Sequence, residues 1–169
     1  IAVGLFEKYD DKKMQKLEEN ERFLDRTESV MVDYLLKITA KDISITDNRL
    51  ATEIMHSVSD FEKIGDYCGN LALEAELHRE QNVTFSTAGQ REFSYVTEAV
   101  RTIIGMTVQA YQEENPIIAA RVEPLEETVG LMEETLKDKH IERLQSGTCS
   151  TKSGISFVEV LNDMDRIAS

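Results

Sequence analysis

Apolar residues recur along most of this chain at alternating steps of four and three. From Met14 a helix is predicted whose stripe reads Leu17, Glu21, Leu24, Glu28, Met31, Leu35, Ile38, the spacing that aligns side chains on one face of an α-helix. Two of those seven positions are carboxylates, which are costly on an apolar face unless paired or coordinated. Thr39 to Asp47 is polar and reads as a link. A second long helix is predicted from about Asn48 to about Arg79, with the stripe Leu50, Ile54, Ser57, Phe61, Ile64, Cys68, Leu71, Ala75 and with Glu62 and Asp66 flanking it. After a loop at Gln81 to Thr87, Thr87-Ala88-Gly89-Gln90 has the form of a capping box. It predicts a helix through Phe93, Val96, Val100, Ile103, Ile104, Thr107 and Tyr111. Asn115-Pro116 is a stop-and-restart signal, since Asn caps and Pro fits the first turn. A fourth long helix is then expected through Ile118, Val122, Leu125, Val129, Met132 and Leu136. Ser146 to Ser153 is a third link, and a last helix opens near Gly154. Ile1 to Tyr9 reads as the tail of a further helix.

One stretch breaks the ordinary logic of a solvated helix. In Asp60-Phe61-Glu62-Lys63-Ile64-Gly65-Asp66-Tyr67-Cys68-Gly69, Glu62 and Asp66 stand four apart on one face, where two carboxylates repel. Gly65 and Gly69 lie on the same side, although each glycine inside a helix costs about 1 kcal/mol relative to alanine. Close approach of another helix, or of bound ions, would explain both. Glu21 and Asp25 repeat the four-apart arrangement.

The pattern is also duplicated. At an offset of 102, Tyr9 meets Tyr111, Glu21 meets Glu123 and Asp25 meets Glu127; at 103, Asp60 meets Asp163, Glu62 meets Asp165 and Ile64 meets Ile167. Asp66 meets Ser169, so a second ion site would lack that ligand. The fold class expected is all-α: tandem three-helix bundles of up-down, spectrin-like helices, truncated at both ends. Residues 1–86 form the first unit, its first helix mostly missing, and residues 87–169 the second, its third helix cut short.

Composition narrows the chemistry. Nineteen Lys and Arg against 32 Asp and Glu give a net charge of −13, which disfavours nucleic acid and anionic lipid surfaces and favours cations. Cys68 and Cys149 suit a reducing compartment better than a disulfide framework. His56, His78 and His140 are scattered and read as surface residues. No signal peptide and no apolar run of about 20 residues is seen.

The duplicated unit, with Asp60-Phe61-Glu62-Lys63-Ile64-Gly65-Asp66 and its echo Asp163-Met164-Asp165-Arg166-Ile167-Ala168, resembles the PhoU family over nearly the whole chain. The resemblance implies two three-helix bundles and a non-enzymatic regulatory or adaptor role in phosphate uptake and phosphate homeostasis. It implies divalent or ferric metal ions (iron, zinc, nickel, magnesium or calcium) held by Glu/Asp-x-x-x-Asp motifs. Carried over, those motifs fall on Glu62 and Asp66 with Glu21 and Asp25 facing them, and on Asp165 with Glu123 and Glu127 opposite. The implied partners are a membrane phosphate transporter and a sensor kinase; the missing helices, which leave apolar faces open, add a second copy forming a homodimer as an expectation. The implied place is the cytoplasmic face of the inner membrane. The start of the chain on Ile1 suits the cytoplasmic tail of a sodium/phosphate cotransporter; a free-standing phosphate-transport regulator and a metal-free helical adaptor are the alternatives. A di-iron enzyme has little to rest on, because Glu53-Ile54-Met55-His56 is the one Glu-x-x-His and a carboxylate-bridged bundle needs two.

Overall fold

The computed structural model describes all 169 residues and is all-α. The helices are α1 (Ala2–Glu7), α2 (Asp11–Thr39), α3 (Ile45–Gln81), α4 (Thr87–Gln112), α5 (Pro116–Ala119), α6 (Glu123–Gln145) and α7 (Thr151–Ala168). Two compact units run Ile1–Ala72 and Leu73–Ser169. The repeat in the sequence divides the chain at the loop after α3, whereas the compact units divide within α3 itself.

Short polar side chains start most of the helices. Asp10 accepts from the amides of Lys12 and Lys13 at 2.9 and 3.3 Å, and Ser44 accepts from Asp47 N at 3.1 Å while donating to its carboxylate at 2.7 Å. Asn115 caps α5 and Ser150 caps α7. At α4 the cap is Ser86, which accepts from Gly89 N at 3.2 Å, one residue before the Thr87 expected from the capping-box pattern. Asn82, Glu114 and Gly147 have positive φ of 53°, 48° and 69°. The amide just after each bonds back to His78, Ala110 or Arg143 O, closing α3, α4 and α6 with a six-to-one bond.

In the first unit, α2 keeps its expected stripe: Leu17 and Leu35 are buried, and Glu21, Leu24, Glu28, Met31 and Ile38 are half-buried between exposed neighbours. The α3 stripe is largely covered, Leu71 and Ala75 being buried and Ile54, Ser57, Ile64 and Cys68 half-buried, but Leu50 and Phe61 are exposed and the covered face widens to take in Ala51, Val58, Glu62, Gly65, Gly69 and Ala72. Glu62 therefore lies on the covered face rather than beside it. The reason is α2: a Cβ at Gly65 would stand 2.6 Å from Leu24 Cδ1, and one at Gly69 would stand 3.1 Å from Glu21 Oε1. The helices meet where α3 has no side chain, so no apolar residue marks the contact.

In the second unit α4, α6 and α7 pack around Val96, Val100, Val129, Phe157, Val160, Leu161 and Met164, each almost fully buried. Thr107 and Tyr111, expected in the α4 stripe, are exposed. The expected fourth helix is interrupted, because Pro124 starts α6 and has no amide to bond back to the turn before it; Ile118 falls in α5 and Val122 becomes the N-cap. His140 corrects the surface reading of the histidines: it is 2% exposed, packed 5.4 Å from the Phe157 ring. Arg143, one turn away, pairs with Glu92 of α4 at 2.7 Å and lies over Phe157 of α7, tying three helices together.

Candidate metal centre

The glycines of α3 decide the geometry in the first unit. With α2 drawn against Gly65 and Gly69, the carboxylates of α2 and α3 share one face. Ligand oxygens of Asp25, Glu62 and Asp66 all lie within 4.8 Å of one another. Glu21 projects over Gly69, and Glu28 is held by Ser59, which donates to its Oε1 at 2.7 Å. Burial, then the charges of Asp25 and Asp66, push Glu21 above the usual glutamate range. Burial, then Asp66, Glu28 and Asp25, do the same to Glu62. The neighbouring cations form exposed pairs along their own helices, Arg22 with Glu18 at 3.9 Å and Lys63 with Asp60 at 3.4 Å, and their charges oppose the upward push on Glu21 and Glu62 only in part. An all-oxygen set of this kind suits hard cations and ferric iron better than soft metals. Three of the expected residues, Asp25, Glu62 and Asp66, thus come together, with Glu21 beside them over Gly69 and Glu28 close enough to act on Glu62.

The second unit is different. Asp165 of α7 lies over α6 near Gly130, whose Cβ would stand 3.8 Å from Asp165 Oδ1. Its neighbours are Glu133 and Glu126, whose charges, after burial, push its carboxyl upward against the opposing Arg166 and Lys137. Glu133 is ion-paired with Lys137, and Ser169 donates to Glu126 Oε1 at 3.4 Å. Glu123 and Glu127, expected opposite Asp165, are exposed, and neither is among the charges acting on it.

The covered positions of α6 follow those of α2 at an offset of 105, not 102: Glu21 corresponds to Glu126, Leu24 to Val129, Glu28 to Glu133, Met31 to Leu136 and Leu35 to His140. Asp25 then corresponds to Gly130. The residues that sequence reasoning left out of the site, Glu28, Glu126 and Glu133, carried a signal: Glu21 and Glu28 are seven apart, as are Glu126 and Glu133. Seven residues is two helical turns, which keeps both carboxylates on one side.

Comparison with known proteins agrees with this architecture. The model of the PhoU domain family matches residues 2–75. Phosphate-specific transport system accessory protein PhoU homolog 1 of Thermotoga maritima is 20% identical over 167 residues, 98% of this chain and 71% of that protein. The crystal structure of PhoU from Pseudomonas aeruginosa superposes with a TM-score of 0.89 at 21% identity, covering 99% of this chain and 79% of that one. A duplicated helical unit, an acidic α2–α3 face and these likenesses converge: residues 2–75 match the PhoU domain family, and the whole chain takes a helical-bundle fold similar to that of PhoU.

Proposed function

We propose that this protein is a non-enzymatic regulator of phosphate transport that holds a hard divalent or ferric ion between α2 and α3. The observation that carries the metal part is the convergence of Asp25, Glu62 and Asp66 within 4.8 Å while the nearby Arg22 and Lys63 pair with other carboxylates. Like charges so placed destabilise the metal-free helix pair, and a cation removes that cost. The transport part rests on likeness: the Thermotoga relative is named as an accessory protein of phosphate-specific transport. That name favours a regulator acting on a separate membrane transporter, and through it a sensor kinase, over the tail of a sodium/phosphate cotransporter. No helix here is long and apolar enough to cross a membrane. A bound metal gives a route to phosphate sensing, because the ion supplies the positive charge that this acidic surface lacks.

Two measurements test the two parts separately. The purified, chelator-stripped protein is titrated with iron(III), magnesium, calcium, zinc and nickel while its melting temperature is followed. Stabilisation by at least one ion, lost in Glu62→Gln/Asp66→Asn, is expected; no response to any of them would leave a metal-free helical adaptor. Separately, expression in a bacterium deleted for its own PhoU should restore phosphate-repressed reporter activity. Failure there, with metal binding intact, removes the transport role alone.

A further inference from the structure

A second polar cluster lies away from the acidic face, in the second unit, where the end of α3 meets α7. Glu74 and His78 stand four apart on α3, so their side chains leave the same helix face. Both converge on one atom. Ser156 Oγ donates to Glu74 Oε2 at 2.6 Å, which leaves its oxygen to meet His78 Nε2 at 2.7 Å. A carboxylate oxygen and an imidazole nitrogen therefore flank a single small hydroxyl. They do so at the wall of an open cleft of about 190 Å3, also lined by Gln81 and Lys152. The T-shaped packing of His78 on Phe85, 4.6 Å between centroids, fixes the ring plane.

We infer that Glu74, His78 and the Ser156 hydroxyl form a site for a borderline divalent ion of the zinc, cobalt or nickel kind, chemically distinct from the all-carboxylate face of α2 and α3. The hydroxyl marks the point to which both donors are aimed. An ion there takes a lone pair from Glu74 Oε2 and one from His78 Nε2 after small rotations, with typical bond lengths of about 2.0–2.2 Å. Where Nε2 carries the ring proton in the metal-free protein, that proton moves to Nδ1. Ser156 keeps its own proton and swings aside or stays as a weak neutral donor, and the cleft leaves the remaining positions to water. Imidazole is the discriminating group: magnesium and calcium prefer oxygen alone, whereas zinc, cobalt and nickel accept nitrogen readily. The net charge of −13 attracts the ion; Lys152, exposed at the rim, opposes it.

The test uses the full chain carrying Glu62→Gln and Asp66→Asn, so that the acidic face does not compete, titrated with cobalt(II) or zinc(II). Paramagnetic shift or broadening of the His78 ring signals, together with visible cobalt absorption, is the expected result. His78→Gln should weaken binding at least about tenfold, and Glu74→Gln by a similar factor. Ser156→Ala keeps both ligands while removing the hydrogen-bonded strut, and should bind within about threefold of its parent. His78 signals that do not move up to millimolar cobalt, or His78→Gln binding as tightly as its parent, overturn the site and leave a hydrogen-bonded strut only. Loss of binding in Ser156→Ala as well, in a protein that still melts cooperatively, overturns it too.

Discussion

On α2 and α3, Asp25, Glu62 and Asp66 converge, with Glu21 and Glu28 beside them and Ser59 donating to Glu28. On α6 and α7, Glu126, Glu133 and Asp165 occupy corresponding places, but Gly130 stands for Asp25, Ser169 for Asp66, and Lys137 pairs with Glu133. Deeper in that unit Arg143 does the same for Glu92. One helix plan has thus been given two ways of neutralising inward carboxylates. The second unit pairs its carboxylates with cations of its own sequence, whereas under the proposed function the first would take one from solution. A carboxylate count alone would not distinguish them; what does is where the nearest Lys and Arg are spent.

The largest expected effect removes a built-in cation. Arg143 and Glu92 are each only 14% exposed in their side chains, and truncating one partner of such a pair leaves the other charge uncompensated. Arg143→Met should cost about 3–5 kcal/mol of stability, measured by urea unfolding. The loss should shrink in the double variant Arg143→Met/Glu92→Leu, because replacing both partners leaves no buried charge. A single-variant loss under about 1 kcal/mol would mean that the second unit does not depend on internal neutralisation.

Acid should drive the two units apart more gently. Glu21 and Glu62 have folded pKa values raised above the ordinary 4.5. The folded first unit therefore binds protons more readily than its unfolded chain. The associated stability is full below pH 4.5 and is lost as pH rises through the folded values, so acidification strengthens the metal-free unit. His78 and His140 behave in the opposite sense. Burial lowers both below 6.5, and Arg143 adds to the effect at His140. Their contribution is full above pH 6.5 and is lost as pH falls through the folded values. Asp165 follows the glutamates and offsets part of this loss in the second unit. Hydrogen exchange of the chelated protein, followed as pH falls from 7 toward 4.5 and corrected for intrinsic rates, should show α2 amides gaining protection while those of α6 and α7 lose it. Parallel changes in both units would contradict the division.

How much of this could be read from the sequence varies from helix to helix. The α2 stripe was legible residue by residue, because large apolar side chains at Leu17, Leu24, Met31, Leu35 and Ile38 fix the phase that Glu21 and Glu28 share. The α3 face was read too narrowly, because its tightest contact is made by Gly65 and Gly69, which look like gaps in a hydrophobic pattern. Identity at an offset of 102 aligned Glu21 with Glu123, but burial aligns it with Glu126. Three residues is close to one helical turn, so both registers look plausible until partners are known. His140 continues the spacing Val129, Met132, Leu136 by four; the period placed it inside, while residue type suggested the surface. The clustering of Asp25, Glu62 and Asp66 was legible from their four-apart spacings, whereas the closeness of Glu126 and Glu133 to Asp165 was hidden by the register of the repeat.

The smallest expected effect on stability is also the sharpest comparison. Gly130→Asp with Lys137→Gln gives the second unit the counterpart of Asp25 and removes the cation that the first unit lacks. The backbone accepts a Cβ at position 130, which meets Asp165 Oδ1 at an ordinary 3.8 Å. Replacing a helical glycine gains a few tenths of a kcal/mol, the added repulsion takes a similar amount away, and loss of the partly exposed Lys137–Glu133 pair costs up to about 1 kcal/mol. The metal-free double variant should therefore melt within a few degrees of its parent. Its response to added cations should change far more than its melting point: the second unit should acquire an ion-dependent stabilisation absent from the parent and abolished by Asp165→Asn. If the variant stays indifferent to every ion that stabilises the first unit, ligand count and missing counter-charge are insufficient, and Asp66, for which Ser169 is a poor substitute, is the group that makes the first face a metal site.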